Sequence, residues 1–218
     1  MFLKREKMIS FALTFFAAAL LLVSLKFPLW HLRMEAPQYR DEEALKVAVF
    51  PNAMRGDLKE LAVLNQYIGV HVPSKLPQFK WLPGALIAAA ALGIGACLLG
   101  GKARRRALVV VAVALTLALV FAAAQARMQM RHIGHHRDRK AAMLGVHDFT
   151  PPFLGTTRIA QFEVSSRFGL GAWLIGGALA LQLTAAGLAS PKSRKVAVAK
   201  RIEIAPRESA GHLATTAT

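Results

Sequence analysis

The chain has 218 residues, 55% of them hydrophobic, and a formal net charge of +16. A soluble domain this basic would point to nucleic acid. Here four long windows carry none of the charge, which sets nucleic acid aside as a partner. Residues 9–25, 81–101, 107–126 and 168–191 are uncharged runs of 17, 21, 20 and 24 residues. About 20 apolar residues cross a hydrocarbon core of about 30 Å as a helix, and only helices and closed barrels satisfy the backbone there. The pattern predicts an all-α membrane protein with four transmembrane helices and a small mixed extracytoplasmic cap from two long loops.

In chain order, residues 1–27 form a cytoplasmic N-terminus and helix one. The basic start "MFLKREK" also suits a signal peptide, but the apolar run exceeds the usual core of about 7 to 15 residues. No small-x-small site precedes Pro28, so an uncleaved anchor is expected. Loop 28–80 holds "DLKELAVLNQYIG", in which Asp57 and Glu60 have capping-box spacing. Leu58, Leu61, Leu64, Tyr67 and Ile68 then recur on one face of a helix that Gly69 stops. Upstream, "LKVAVFP" reads as a strand. Helix two (81–101) and helix three (107–126) flank a basic turn at 102–106. In the second loop (127–167), "AQFEVSS" alternates Phe162 and Val164 on one face and is a partner for the upstream strand. Helix four is 168–190. The charged, weakly hydrophobic tail 191–218 is expected to be disordered.

Basic residues set the orientation. Lys4, Arg5 and Lys7, then Lys102, Arg104, Arg105 and Arg106, then the tail lysines and arginines fall on one side if all four helices span. That side is expected to be the cytoplasm of a bacterial inner membrane, with both termini inside. The windows of helices two to four hold no charged residue, which argues against a transporter. The glycines and alanines of helices two and four suit close helix contact or an oligomer, although a general alanine bias gives the same pattern. Cys97 stands alone, so no internal disulfide forms.

Six of seven histidines and five of seven methionines lie in the two outer loops. Thioether sulfur suits Cu(I) and imidazole suits Cu(II), zinc and nickel, so copper is the candidate metal. The candidate ligands are His135, His71, His31, Met34, His132, His136, Met128 and Met130. Met128, Met130 and His132 share a face if the stretch is extended, whereas His132, His135 and His136 share one if helix three continues. Nearby arginines oppose a cation there, and an arginine-rich end equally suits anionic headgroups. No nucleophile–base set, phosphate loop or haem-attachment motif occurs, so no enzyme is expected.

Three pieces, "PLWHLRMEAPQY", "LNQYIG" and "GHHRD" followed by "PPFLGTTRIAQFEVSS", resemble a family of small, mostly uncharacterised bacterial inner-membrane proteins. Matching positions include Pro28, Leu29, Trp30, Ala36, Pro37, Gln38, Tyr39, Leu64, Asn65, Tyr67, Ile68 and Gly69. Further along they are Gly134, His135, Pro151, Pro152, Gly155 and Phe162. Gln66, Arg40 and Gln161 depart from the family pattern. The resemblance implies a setting beside nitrous oxide reductase maturation, with a periplasmic copper chaperone or cuproenzyme as partner. It singles out His135 within the histidine cluster. The alternative is a non-metal membrane scaffold or electron-transfer-associated subunit whose aromatic residues seat the cap. A topology reporter fused at residue 140 is expected to report the extracytoplasmic side; a cytoplasmic signal would reverse the orientation.

Overall fold

Leucine, alanine and phenylalanine fill the first helix and no proline interrupts it before Pro28, so α1 runs Phe2–Ser24. The computed structural model describes residues 2–35, 44–68, 76–135, 152–159 and 162–189. The remaining helices are α2 Leu58–Ile68, α3 Trp81–Leu98, α4 Gly101–His135 and α5 Leu170–Leu188. Among the described residues, four of the five helices, all but α2, are long and apolar enough to cross a membrane. α1 packs against α5 and α3, and α4 packs against α3 and α5. Neighbours in this ring are antiparallel, and α1 and α4 stand diagonally opposite. Leu21, Leu86, Leu115, Ile175 and Ala178 fill its centre.

At the end where α1 finishes and α5 begins lies a five-stranded antiparallel sheet of order β3-β2-β1-β5-β4. Its strands are β1 Trp30–Glu35, β2 Leu45–Val49, β3 Met54–Gly56, β4 Gly155–Ile159 and β5 Phe162–Phe168. The two strands expected from sequence are both present as β2 and β5, but they do not pair with each other. β1 lies between them, so Met34 opposes Leu45 on one side and Val164 on the other. The stretch Trp-His-Leu-Arg-Met-Glu alternates strictly, and β1 turns alternate residues half-buried and exposed. β4 continues the sheet directly after Phe153 and Leu154.

Sheet and bundle are joined where the chain leaves α1 and re-enters at α5. The N–H of Gly169 donates to the Leu29 carbonyl at 2.8 Å, and that of Gly171 donates to the Pro28 carbonyl at 2.9 Å. Leu29 N–H in turn donates to Val49 O at 2.8 Å. A Cβ at residue 169 would overlap the Pro28 carbonyl oxygen, and one at 171 would lie 2.7 Å from the Phe27 oxygen. The backbones meet this closely because neither residue has a side chain.

The expected capping box is replaced by a different arrangement. The Asp57 carboxylate accepts the Lys46 N–H at 2.8 Å, and Asp57 N–H donates to Lys46 O at 3.1 Å. The carboxylate thus ties the start of α2 to β2 instead of capping its own helix. Leu61 is buried and Leu58 half-buried, as the apolar face requires.

Two boundaries differ from the sequence expectation. The basic stretch expected as a turn at 102–106 is the first part of α4, so the connection from α3 is only residues 99–100. Arg104 is consequently inside the bundle and 9% exposed; the interior is not free of charge. At its other end α4 continues through nine residues beyond the apolar window, to His135. The proposed disordered tail lies outside the described residues.

Gly169→Ala is expected to lower the apparent melting temperature of the detergent-solubilised protein by several degrees, an overpacking cost of about 1–3 kcal/mol. Gly176→Ala, where a Cβ meets nothing within 4 Å, is expected to leave it unchanged.

Candidate functional site

α4 has 35 residues where a bilayer crossing needs about 20. Its 35 residues span about 52 Å at 1.5 Å per residue, against about 27 Å for the 18 residues of α3. Trp81, the first residue of α3, fixes the offset. Its Nε1 donates to Gln125 Oε1 at 3.3 Å and its ring lies 5.7 Å from that of Phe121. The ten residues after Gln125 therefore carry α4 about 15 Å past the start of α3. This projection stands at the sheet end of the bundle.

Helical geometry decides which of the clustered side chains converge. Met128, His132 and His135 are spaced i, i+4 and i+7, which puts them on one face. All three are exposed, Met128 at 71%. Met130 points about 160° away from His132 and is half-buried with Gln129 and Ile133. The extended alternative, in which Met128, Met130 and His132 align, is thereby replaced by the helical one. His132 and His135 each have an interaction partner in this structure.

The donor set of one thioether and two imidazoles has the chemistry for copper in either oxidation state. Cations are also favoured at a helix C-terminus, where the macrodipole is negative. Against this, Arg131 lies three residues after Met128 and four before His135, on the flank of the same face. Its charge weakens any cation site there. Among the described residues no three His, Cys, Asp or Glu side chains form a metal-holding group.

The other proposed ligands separate. His31 and Met34 fall on opposite faces of β1, so they cannot meet at one ion. Met34 is half-buried between Leu45 and Val164 and acts as apolar filler. His31 is exposed opposite Arg167. His71, His136, Pro37, Gln38, Tyr39, Gly69 and Pro151 lie outside the described residues, as do Ala36, Met143 and His147. Asn65 and Tyr67 fall in the last turns of α2.

The sheet offers two unlike surfaces. One carries Trp30, Leu32 and Met34 with buried Val47 and Val164. The segment before β4 closes over it: Ser166 Oγ donates to Pro152 O at 2.8 Å, and Phe153 stacks on Trp30 at 6.0 Å. Phe153 also meets Phe168 edge-on at 6.3 Å, and Phe168 meets Trp173 at 6.4 Å. Trp30, Pro152 and Gly155, proposed from the sequence, thus belong to one aromatic seam, with Gly155 opening β4 at φ 99°.

No model of a known protein family matches the chain, and no curated protein matches it.

The opposite surface is basic. Lys46 lies across from Arg33, Arg167 across from His31, Arg55 across from Ala48 and Arg158 across from Glu163. Glu35 and Glu163 are its acids, and Arg33 Nε pairs with Glu35 Oε1 at 2.7 Å. This surface was missed by sequence reasoning, because β1 and β4 had to be recognised before their charges could be added to those of β2 and β5.

Phe153→Ala is expected to shift tryptophan emission to the red and to cost roughly 2 kcal/mol, by opening the stack on Trp30. Leu154→Ala, at an exposed position, is expected to do neither.

Proposed function

We propose that the chain is an accessory protein of a bacterial inner membrane that acts by binding and catalyses no reaction. Its sheet and the end of α4 stand on the extracytoplasmic side and both termini are cytoplasmic. There it handles copper as cargo, or seats a periplasmic copper chaperone or a cuproenzyme such as nitrous oxide reductase during maturation. The observation that carries this reading is the exposed Met128–His132–His135 face on a helix end standing about 15 Å clear of α3. Orientation is supported by charge: Lys7, Lys102, Arg105 and Arg106 are exposed at the end away from the sheet. Trp30, Trp81 and Trp173 gather at the sheet end, as residues at a membrane–water boundary do.

A second reading is favoured by Arg131 and by the cations of the sheet surface. In it the chain is a metal-free scaffold or an electron-transfer-associated subunit, and the basic sheet face meets an acidic protein.

Titration of the full chain in neutral detergent with Cu(I) and with Cu(II) separates the two. The copper reading expects one ion per chain at micromolar or tighter affinity, weakened on the order of tenfold or more by His132→Ala and by His135→Ala. Met128→Ala should weaken Cu(I) far more than Cu(II), and Met130→Ala should change neither. Affinity weaker than micromolar, or equal effects of Met128→Ala and Met130→Ala, overturns it in favour of the scaffold.

A further inference from the structure

At the end of the bundle away from the sheet, all four long helices bring a polar group into the interior. Arg104 reaches from α4 across to its diagonal neighbour α1, where Nη2 donates to Ser10 Oγ at 3.1 Å. The same nitrogen lies 3.8 Å from Cys97 Sγ on α3. Ser10 Oγ passes the chain on to the Ala185 carbonyl of α5 at 3.0 Å, and Thr14 Oγ1 donates to Ser10 O at 2.8 Å. Every one of these partners is neutral. Arg104 is 9% exposed, its Nε has no hydrogen-bond partner, and no carboxylate among the described residues pairs with it. A guanidinium carries five N–H donors and never loses its charge. With no anion beside it among the described residues, it is short of both acceptors and countercharge.

Its surroundings add positive potential. Arg104 is in the first turn of a 35-residue helix, whose N-terminus favours anions, and side chains on a helix lean back toward that end. Lys102, Arg105 and Arg106 are exposed around it, and Lys7 stands one turn before Ser10 on α1. The depth is also informative. Ser10's acceptor Ala185 and the neighbour Cys97 lie in the last turns of α5 and α3. With α3 spanning about 27 Å, this level matches the edge of a hydrocarbon core of about 30 Å.

We propose that Arg104 is the base of an anion site that takes a phosphate group, supplied by an anionic phospholipid headgroup. The phosphate oxygens accept from the guanidinium N–H groups left unused by Ser10 and Cys97, and the exposed lysines and arginines draw the headgroup in. A soluble phosphate has the same chemistry, and depth favours the lipid. This inference rests on the bilayer reading above but not on copper.

The test uses the full chain in neutral detergent, supplied with phosphatidylglycerol, with diacylglycerol of the same chains, or with inorganic phosphate. Phosphatidylglycerol is expected to raise the apparent melting temperature and to persist as an adduct in native mass spectrometry, while diacylglycerol does neither. Arg104→Gln should abolish both effects, Arg104→Lys should keep part of them, and Arg105→Gln should keep most. A shift with inorganic phosphate and none with lipid supports the anion site and assigns it a soluble source. Equal adducts on Arg104→Gln and Arg105→Gln overturn the proposal, as does an equal response to diacylglycerol. If Arg104→Gln fails to fold, the comparison of the lipids on the parent chain and on Arg104→Lys decides. Glu6 lies four residues before Ser10 in the sequence. Destabilisation by Glu6→Gln, with no lipid response in the parent, overturns the site in favour of an internal pair. Recovery of the chain from cells without detergent would instead refute the bilayer reading itself.

Discussion

Everything at the sheet end depends on one close approach of two backbones. The N–H groups of Gly169 and Gly171 reach the carbonyls of Leu29 and Pro28, where the first and last helices of the bundle meet the sheet. Pro28 cannot continue α1, so the chain turns out of the helix and its carbonyls become available. The glycines let α5 come near enough to use them. These bonds fix β1 beside β5, and the register of those two strands sets the position of the remaining three. They also make α1 and α5 the closest partners in the bundle, since both helices are held by the same junction.

The division between what the sequence made legible and what it did not follows from the range of each interaction. The four apolar helices are local features of composition, and all four are present. The helix at 58–68 follows from local periodicity, and β2 and β5 from local alternation. The alternation of β1 is equally clear in Trp30–Glu35, but alternation over six residues does not say which strands they pair with. Its central position in the sheet depends on the long-range junction, so pairing of β2 with β5 was the simpler expectation. Asp57 shows the same limit: its spacing to Glu60 is that of a cap, yet the carboxylate bonds to a strand eleven residues earlier. The candidate metal face was half legible. Periodicity offered either an extended or a helical grouping, and only the continuation of α4 selects Met128 with His132 and His135.

Charge at the two ends of the molecule plays different parts. At the sheet end it lies on exposed strands, where solvent screens it and a partner can meet it. At the opposite end one member of a run of basic residues is turned inward. Composition alone treats Arg104, Arg105 and Arg106 as equivalent, whereas the hundred degrees between successive helical residues gives each a different surrounding. A run of arginines at a helix start is therefore both an orientation signal and a source of one interior charge.

The order of the strands has a consequence for how the chain is made. β1, β2 and β3 come from the first 56 residues, but β1 finds its second neighbour only at β5, residues 162–168. During synthesis, β1 therefore keeps an open edge while three further helices are produced, a delay set by sequence separation. An open edge is a template for wrong pairing. The strand that covers this edge, residues 162–168, is made after α4 and just before α5, so the sheet has all its strands only when a single helix remains to be added.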